Sequence, residues 1–289
     1  MSEPASRRLA MAAPFLFIFL WSSAFIAVRA GLPDVSPLYF LSIRFTLAAT
    51  ILAVLALLTR QPWYDLRGRW PHFVVAGVLI NALYLSAGYL AMTRISGATL
   101  ALIGALHPIL VALLSIPLLG DRFTARQWLG FLLGLAGVAL VVGIKADDAA
   151  QVEGMLTGLA GVLCFVAGTL YFTRFCRGAG LVLSNMVQLG AAAALCWAFT
   201  LLFETPHAAW TPTALLTLLH LTIGVSLGGM ALLLFMLRTG TAGKVAANFY
   251  LTPGLTALLG WAILGEGLSP LAIAGFAVAS AGVWLVNRG

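Results

Sequence analysis

Ten long apolar stretches, punctuated by charge, Pro or Gly, pattern the chain at about 14–31, 37–58, 72–92, 97–118, 126–144, 154–173, 181–203, 212–236, 241–263 and 269–286. A bilayer's hydrocarbon core asks for about 20 mostly apolar residues per helix. None of the stretches has the strong polar face of a helix lying flat on a membrane surface. The pattern therefore predicts an all-α polytopic membrane protein of ten transmembrane helices. The basic start of "RRLAMAAPFLFIFLWSSAFIAVRAG" resembles a secretory signal. The internal repeat described below needs this segment as a helix, so it reads as a retained first span.

Two segments of the pattern repeat. "LHPILVALLSIPLLGDRFTARQWLGFLLGLAGVALVV" (106–142) aligns without a gap on "LTPGLTALLGWAILGEGLSPLAIAGFAVASAGVWLVN" (251–287), an offset of 145 residues with 15 of 37 positions identical. The matches include Pro108/Pro253, Gly120/Gly265, Gly130/Gly275 and Gly137/Gly282. Shared leucines are cheap in membrane sequences, whereas prolines and glycines in register are not. At the same offset Arg29 meets Arg174 and Asp121 meets Glu266. The period holds five expected spans. An odd number makes the second copy enter the membrane from the opposite side, giving two inverted-topology repeats, 1–145 and 146–289. Such repeats are a signature of secondary transporters with a site near the bilayer midplane.

Composition agrees. The 289 residues are 62% hydrophobic and 9% charged, with a mean hydropathy of +1.03. Soluble domains are roughly 45–50% apolar and about 25% charged. The net charge of +7 does not call for nucleic acid, because its distribution has a membrane explanation. With a cytoplasmic N-terminus, the inner side receives Arg7, Arg8, Arg60, Arg67, Arg69, Arg122, Arg126, Arg174, Arg177, Arg238 and Arg288. The outer loops receive only Arg94 and Lys145, with Asp34, Asp147, Asp148, Glu153, Glu204 and Glu266. This positive-inside bias predicts both termini in the cytoplasm. Cys164, Cys176 and Cys196 form no C-x-x-C pair and no even framework, so neither a disulfide scaffold nor a cysteine metal site is expected. No cofactor is expected either.

Polar residues inside the spans nominate a site. His107–Pro108 sits at the middle of the fourth expected span and Thr252–Pro253 at the middle of the ninth. Proline frees a carbonyl one turn earlier, which hydrocarbon tolerates only against protein or a water-filled cavity. Twin breaks at one depth point to a shared central cavity, against the alternative of simple packing kinks. Trp21, Ser22, Asn81, Tyr84 and Asn248 fall near the same depth. Asn81, Tyr84 and Gly88 share one helical face, as do Asn248, Thr252 and Thr256. The candidate substrate residues are thus Trp21, Ser22, Asn81, Tyr84, His107, Asn248 and Thr252. For each, the competing role is a helix–helix hydrogen bond of about 1 kcal/mol or less. Trp21, Tyr84, Tyr89 and Tyr250 offer aromatic walls. Basic residues inside spans are Arg29, Arg44 and Lys244, and no Asp or Glu lies inside one. A neutral or zwitterionic cargo suits such a pocket better than a permanent cation. Lys244, near the inner end of its helix, can snorkel; Arg29 and Arg44, towards the outer ends of the first two spans, can snorkel to the interface or bind backbone carbonyls.

The segments "FLWSSAFIAVRAGL", "PLYFLSIRFTLAA", "TRISGATLALIGALHPILVALLSIPLLGDRFTARQWLGFLLGLAGVALV" and "TAGKVAANFYLTPGLTALLGWAILGEGLSPLAIAGFAVASAGVWLV" resemble the EamA family of the drug/metabolite transporter superfamily. The resemblance covers nearly the whole chain. It implies ten helices in a five-plus-five inverted repeat and export of small metabolites, often amino acids, across the bacterial inner membrane. It also implies a structural or gating role for Arg29 and Arg44, to which Pro108, Pro253 and Lys244 are added here. His107 departs from the family, which commonly has a small or hydroxyl residue there.

The expected function is export of neutral or aromatic amino acids by alternating access. The protein would act as a monomer in the bilayer with a small-molecule substrate, and not as an enzyme. The alternatives are a nucleotide-sugar or sugar-phosphate transporter, a passive channel and an intramembrane enzyme. No H-E-x-x-H, G-x-S-x-G or buried carboxylate pair supports the enzyme, and the repeat argues against a channel.

Overall fold

Hydrocarbon supplies no hydrogen bonds, so a spanning chain must satisfy its N–H and C=O groups within helices or closed barrels. The computed structural model takes the first route. It describes residues 3–95, 100, 103–142, 149–178, 180–265 and 270–288. Among these, the one pairing outside helices and turns is an isolated antiparallel bridge between Val35 and Ala208. Lys145, Asp147, Asp148 and Glu266, the 145/146 boundary and most of the first part of the fourth expected span lie outside the described residues.

The helices are α1 (Glu3–Gly31), α2 (Pro37–Leu58), α3 (Trp70–Ala91), α4 (Leu106–Leu119), α5 (Ala125–Val142), α6 (Ala149–Phe175), α7 (Leu181–Phe203), α8 (Pro212–Thr239), α9 (Ala242–Ala247), α10 (Thr252–Leu264) and α11 (Pro270–Arg288). Seven of them, α1, α2, α3, α6, α7, α8 and α11, are long and apolar enough to cross a membrane. The outer surface is as apolar as the core, and the polar side chains of the spans are buried within it. Phe15, Leu58 and Phe203 are 74%, 77% and 75% exposed, while Ser42, Ser115 and Gln188 are fully buried. An apolar exterior suits contact with lipid, and polar groups inside a span usually face the protein interior.

The twin prolines stand differently from the expected break in the middle of a continuous span. Pro108 is in the first turn of α4 and Pro253 in the first turn of α10. The first four N–H groups of a helix have no intrahelical partner, so a proline there removes nothing. Ahead of α10 a 3₁₀ turn, Asn248–Leu251, separates it from α9. The ninth stretch is therefore two short helices meeting end to end, not one long one. Both α4 and α10 then stop at glycines in the left-handed conformation, Gly120 (φ 74°) and Gly265 (φ 68°). That conformation explains why this pair repeats.

The repeated glycines pack on each other. A Cβ on Gly130 would lie 2.6 Å from the Gly282 carbonyl oxygen, and one on Gly137 would lie 2.6 Å from that of Gly275. Because the higher-numbered residue of α5 meets the lower-numbered one of α11, the two helices run antiparallel. The contact is reciprocal, as around a two-fold axis. In α2 and α7, Ser42 bonds Thr200 (3.0 Å) and Trp197 donates to Thr46 (3.0 Å), again an antiparallel order. Gly154 and Gly158 pack on Ile95 and Leu100, and Gly224 and Gly228 on Leu20. These small-residue pairs are used within the chain.

Candidate substrate site

Two adjoining cavities lie in the middle of the bundle. The first has a volume of about 60 Å³ and is bordered by Arg44, Asn81, Tyr84, Tyr89, Ser226 and Trp21 among others. The second, of about 40 Å³, is bordered by His107, Phe165, Phe249, Thr252, Pro253 and Trp21 among others. Trp21, Phe25, Tyr84 and Leu100 belong to both walls, so the two form neighbouring compartments of one site.

The first compartment is shaped by an irregularity in two helices. Residues Val78–Leu83 of α3 and His220–Gly229 of α8 are π-helical. A π segment widens the turn by one residue, turns side chains off the regular 3.6-residue face, and is frequent at functional sites. Asn81 lies in one segment and Ser226 in the other, and they are separated by the repeat offset of 145. Both line this compartment. Asn81 is 1% exposed and its carboxamide nitrogen has no hydrogen-bond partner. Arg44, 3% exposed, enters from α2. Its Nε donates to Ser226 Oγ (2.8 Å) and its Nη1 to Tyr89 Oη (3.1 Å). Arg44 neither snorkels nor takes backbone carbonyls as the partners of these bonds: its guanidinium is held inside by two neutral hydroxyls.

The second compartment is a box of rings. Phe165 of α6 stacks on Tyr84 at 4.4 Å and 9°, and on His107 at 4.2 Å and 19°. Phe249 meets Trp21 edge-on at 5.4 Å and 89°. His107 is 2% exposed; its Nε2 faces Thr169 Oγ1 at 3.3 Å and its Nδ1 has no partner. Thr252 Oγ1 is also buried without a partner.

The expected single cavity bordered by Asn81, Tyr84, His107 and Thr252 is thus divided. Asn81 borders the first compartment, His107 and Thr252 the second, and Tyr84 both. Asn81, Tyr84 and Gly88 stay together on one face. The face of Asn248, Thr252 and Thr256 is split, because a 3₁₀ turn advances more per residue than an α-helix and breaks the i, i+4 register. Asn248 folds back to donate to Val245 O (3.1 Å), and Thr256 donates to Ser22 O (3.4 Å). Ser22 donates to Thr252 O (3.3 Å), tying α1 to α10 and bordering neither compartment. Tyr250 is withdrawn too, packed on Gly134. Arg29 is exposed and Lys244 half-buried, and neither borders a compartment; Pro108 is buried beside His107.

Sequence reasoning missed Ser226, Phe165 and Phe249 as wall residues. The repeat offset from Asn81 leads to Ser226. Nothing separates the two rings from the other phenylalanines of a chain holding 17.

The profile of the EamA-like transporter family matches residues 8–143 and again 152–288. The chain belongs to the EamA-like transporter family. The two matches take in nearly the whole chain, one for each copy. Among relatives, a "Probable terminal-alkyne amino-acid exporter" of Streptantibioticus cattleyicolor is 29% identical over 94% of this chain and 91% of its own length. "Uncharacterized transporter YvbV" of Bacillus subtilis is 25% identical over 99% and 94%. "Uncharacterized inner membrane transporter YedA" of Escherichia coli is 23% identical over 95% and 89%. A crystal structure superposes with a TM-score of 0.80, covering 96% of each chain at 23% identity. At that identity the likeness shows a shared fold. This EamA-family chain thus carries its mid-bundle cavities on a fold already seen experimentally.

Proposed function

We propose that this EamA-family chain is a secondary transporter that exports neutral or aromatic amino acids across the bacterial inner membrane by alternating access. One observation carries the reading. A mostly apolar cavity with one polar corner, made by Arg44, Asn81, Tyr89 and Ser226, adjoins a box of rings around Phe165 and His107. An amino acid presents a charged polar end and, when the side chain is aromatic, a flat apolar one. The relatives named as transporters, one of them as a probable amino-acid exporter, support the same reading.

The antiparallel pairing of α5 with α11 and of α2 with α7 supports two inverted repeats of five spans each, 1–145 and 146–289. In this reading the stretch from α9 to α10 is one interrupted ninth span and α4 the second half of an interrupted fourth. Interrupted spans at the binding depth are a transporter device. Both termini face the cytoplasm and the protein works as a monomer without a cofactor. The sugar-phosphate alternative needs a second basic group beside Arg44, and Lys244 borders neither compartment.

The experiment is efflux from proteoliposomes loaded with a labelled panel of amino acids, sugar phosphates and nucleotide sugars. Saturable efflux of aromatic or large neutral amino acids is expected. Efflux confined to the phosphorylated compounds refutes the proposed cargo. Orientation is tested separately by reporter fusions at Arg288 and between α5 and α6, which should report opposite sides.

A further inference from the structure

We infer that Arg44 and Asn81 form the seat of a carboxylate, so that the first compartment selects cargo by an anionic group. This deepens the amino-acid reading above and rests on it for the rest of the cargo's chemistry. Arg44 lies in the outer-half stretch expected of α2, yet its side chain is buried. A buried charge is expensive unless paired. Its partners are neutral: the hydroxyls of Ser226 and Tyr89, and the face of Phe45 at 5.6 Å. Among the described residues it makes no ion pair; the pair seen there joins Arg94 and Glu153 at the surface. No Asp or Glu borders the compartment.

The two hydroxyl bonds use two of the guanidinium's five N–H donors. The carboxamide nitrogen of Asn81 on the same wall is buried and unpartnered. The compartment is therefore over-supplied with donors and positive charge. An unmade buried hydrogen bond carries a full desolvation penalty. A carboxylate meets every one of these demands. It accepts two parallel bonds from a guanidinium, has lone pairs left for the amide of Asn81, and neutralises the charge. Seated there, it leaves the rest of the molecule pointing to the shared Trp21–Tyr84 wall and the ring box beyond. The rival is a structural latch, in which Arg44 only ties α2 to α3 and α8. A latch does not explain the unpartnered nitrogen of Asn81 beside it.

The test is calorimetric titration of the full-length protein in lipid nanodiscs with L-phenylalanine, 3-phenylpropionate, L-phenylalaninamide and phenethylamine. The two acids should bind at least roughly tenfold more tightly than the two compounds without a carboxylate, as expected for charge-assisted pairs. Arg44→Gln should remove that preference while leaving the amide's affinity in place. Arg44→Lys should restore part of it, and Asn81→Ala should weaken the acids a few-fold. Equal binding of acids and amide by the native protein, or equal weakening of all four by Arg44→Gln, overturns the seat and leaves a latch. Binding of none of the four overturns it as well. Binding of 3-phenylpropionate without L-phenylalanine refutes the amino-acid cargo and keeps the seat. If Arg44→Gln does not fold, Asn81→Ala decides together with the native preference, since the Asn81 nitrogen has no protein bond to lose.

Discussion

Residues 106–142 and 251–287 build one frame twice, and the cavity walls depart from that sameness. The frame positions are shared: prolines 108 and 253 open α4 and α10, glycines 120 and 265 close them, and glycines 130, 137, 275 and 282 join α5 to α11. The lining positions at the same offset diverge: Arg44 against Leu189, Asn81 against Ser226, Tyr84 against Gly229, His107 against Thr252, and Phe165 against Leu20. A repeated frame is what the proposed alternating access needs, two halves that exchange roles. An unequal lining groups the donors of Arg44 and Asn81 in one corner of a largely apolar pocket and the stacked rings around Phe165 in the other compartment. The chemistry is carried by the departures from the repeat.

The sharpest way to break the frame is to enlarge a shared glycine. A Cβ on Gly137 would meet the Ala279 backbone nitrogen at 2.4 Å, and backbone cannot move aside as a side chain can. Gly137→Ala should cost about 1–3 kcal/mol and Gly137→Leu more, read as a lowered thermal midpoint and lost folded protein. An unchanged midpoint would mean that the glycines are not the joint.

A lining change should spare the fold and alter selection. Tyr84→Leu removes a ring shared by both compartments and its stack on Phe165. Ring pairs contribute about 0.5–1.5 kcal/mol beyond burial. The preference for aromatic over aliphatic cargo should therefore fall by roughly three- to tenfold in competition assays. A smaller change is expected of His107→Thr, which installs the residue of the other half. It forfeits the stack on Phe165 and the contact with Thr169, so affinity should weaken by a few-fold. The pH profile of exchange should stay the same, because His107 is taken here as a wall residue and not as a proton carrier. A profile flattened by the substitution would make His107 a proton carrier. Least of all is expected of Ser22→Ala, whose bond to Thr252 O ties two helices at a cost of about 1 kcal/mol or less when lost. Transport should be unaffected.

Much of this arrangement is legible in the chain. Membrane character follows from apolar runs, and the frame follows from prolines and glycines in register, because those residues are dictated by backbone geometry. Asn81, Tyr84 and Gly88 share a face whether the helix is regular or slightly unwound. Arg44 was not legible as a wall residue. In a helix as uniformly apolar as α2 the sequence marks no inward face, so a snorkelling and an inward arginine look alike. The π segments carry no residue signature, and the 3₁₀ turn before α10 undid the expected face of Asn248 and Thr252. Phe165 is one apolar ring among many until α6 is placed against α3.

The claim that one two-compartment site carries amino acids alternately to either side is tested most directly by counterflow. Proteoliposomes loaded with unlabelled L-phenylalanine are placed in a trace of labelled L-phenylalanine. The account predicts transient accumulation of label above its external concentration, absent from vesicles loaded with phenethylamine and abolished by Arg44→Gln. Label that only equilibrates, at a rate indifferent to what the vesicles contain, would show a passive pore and contradict the account.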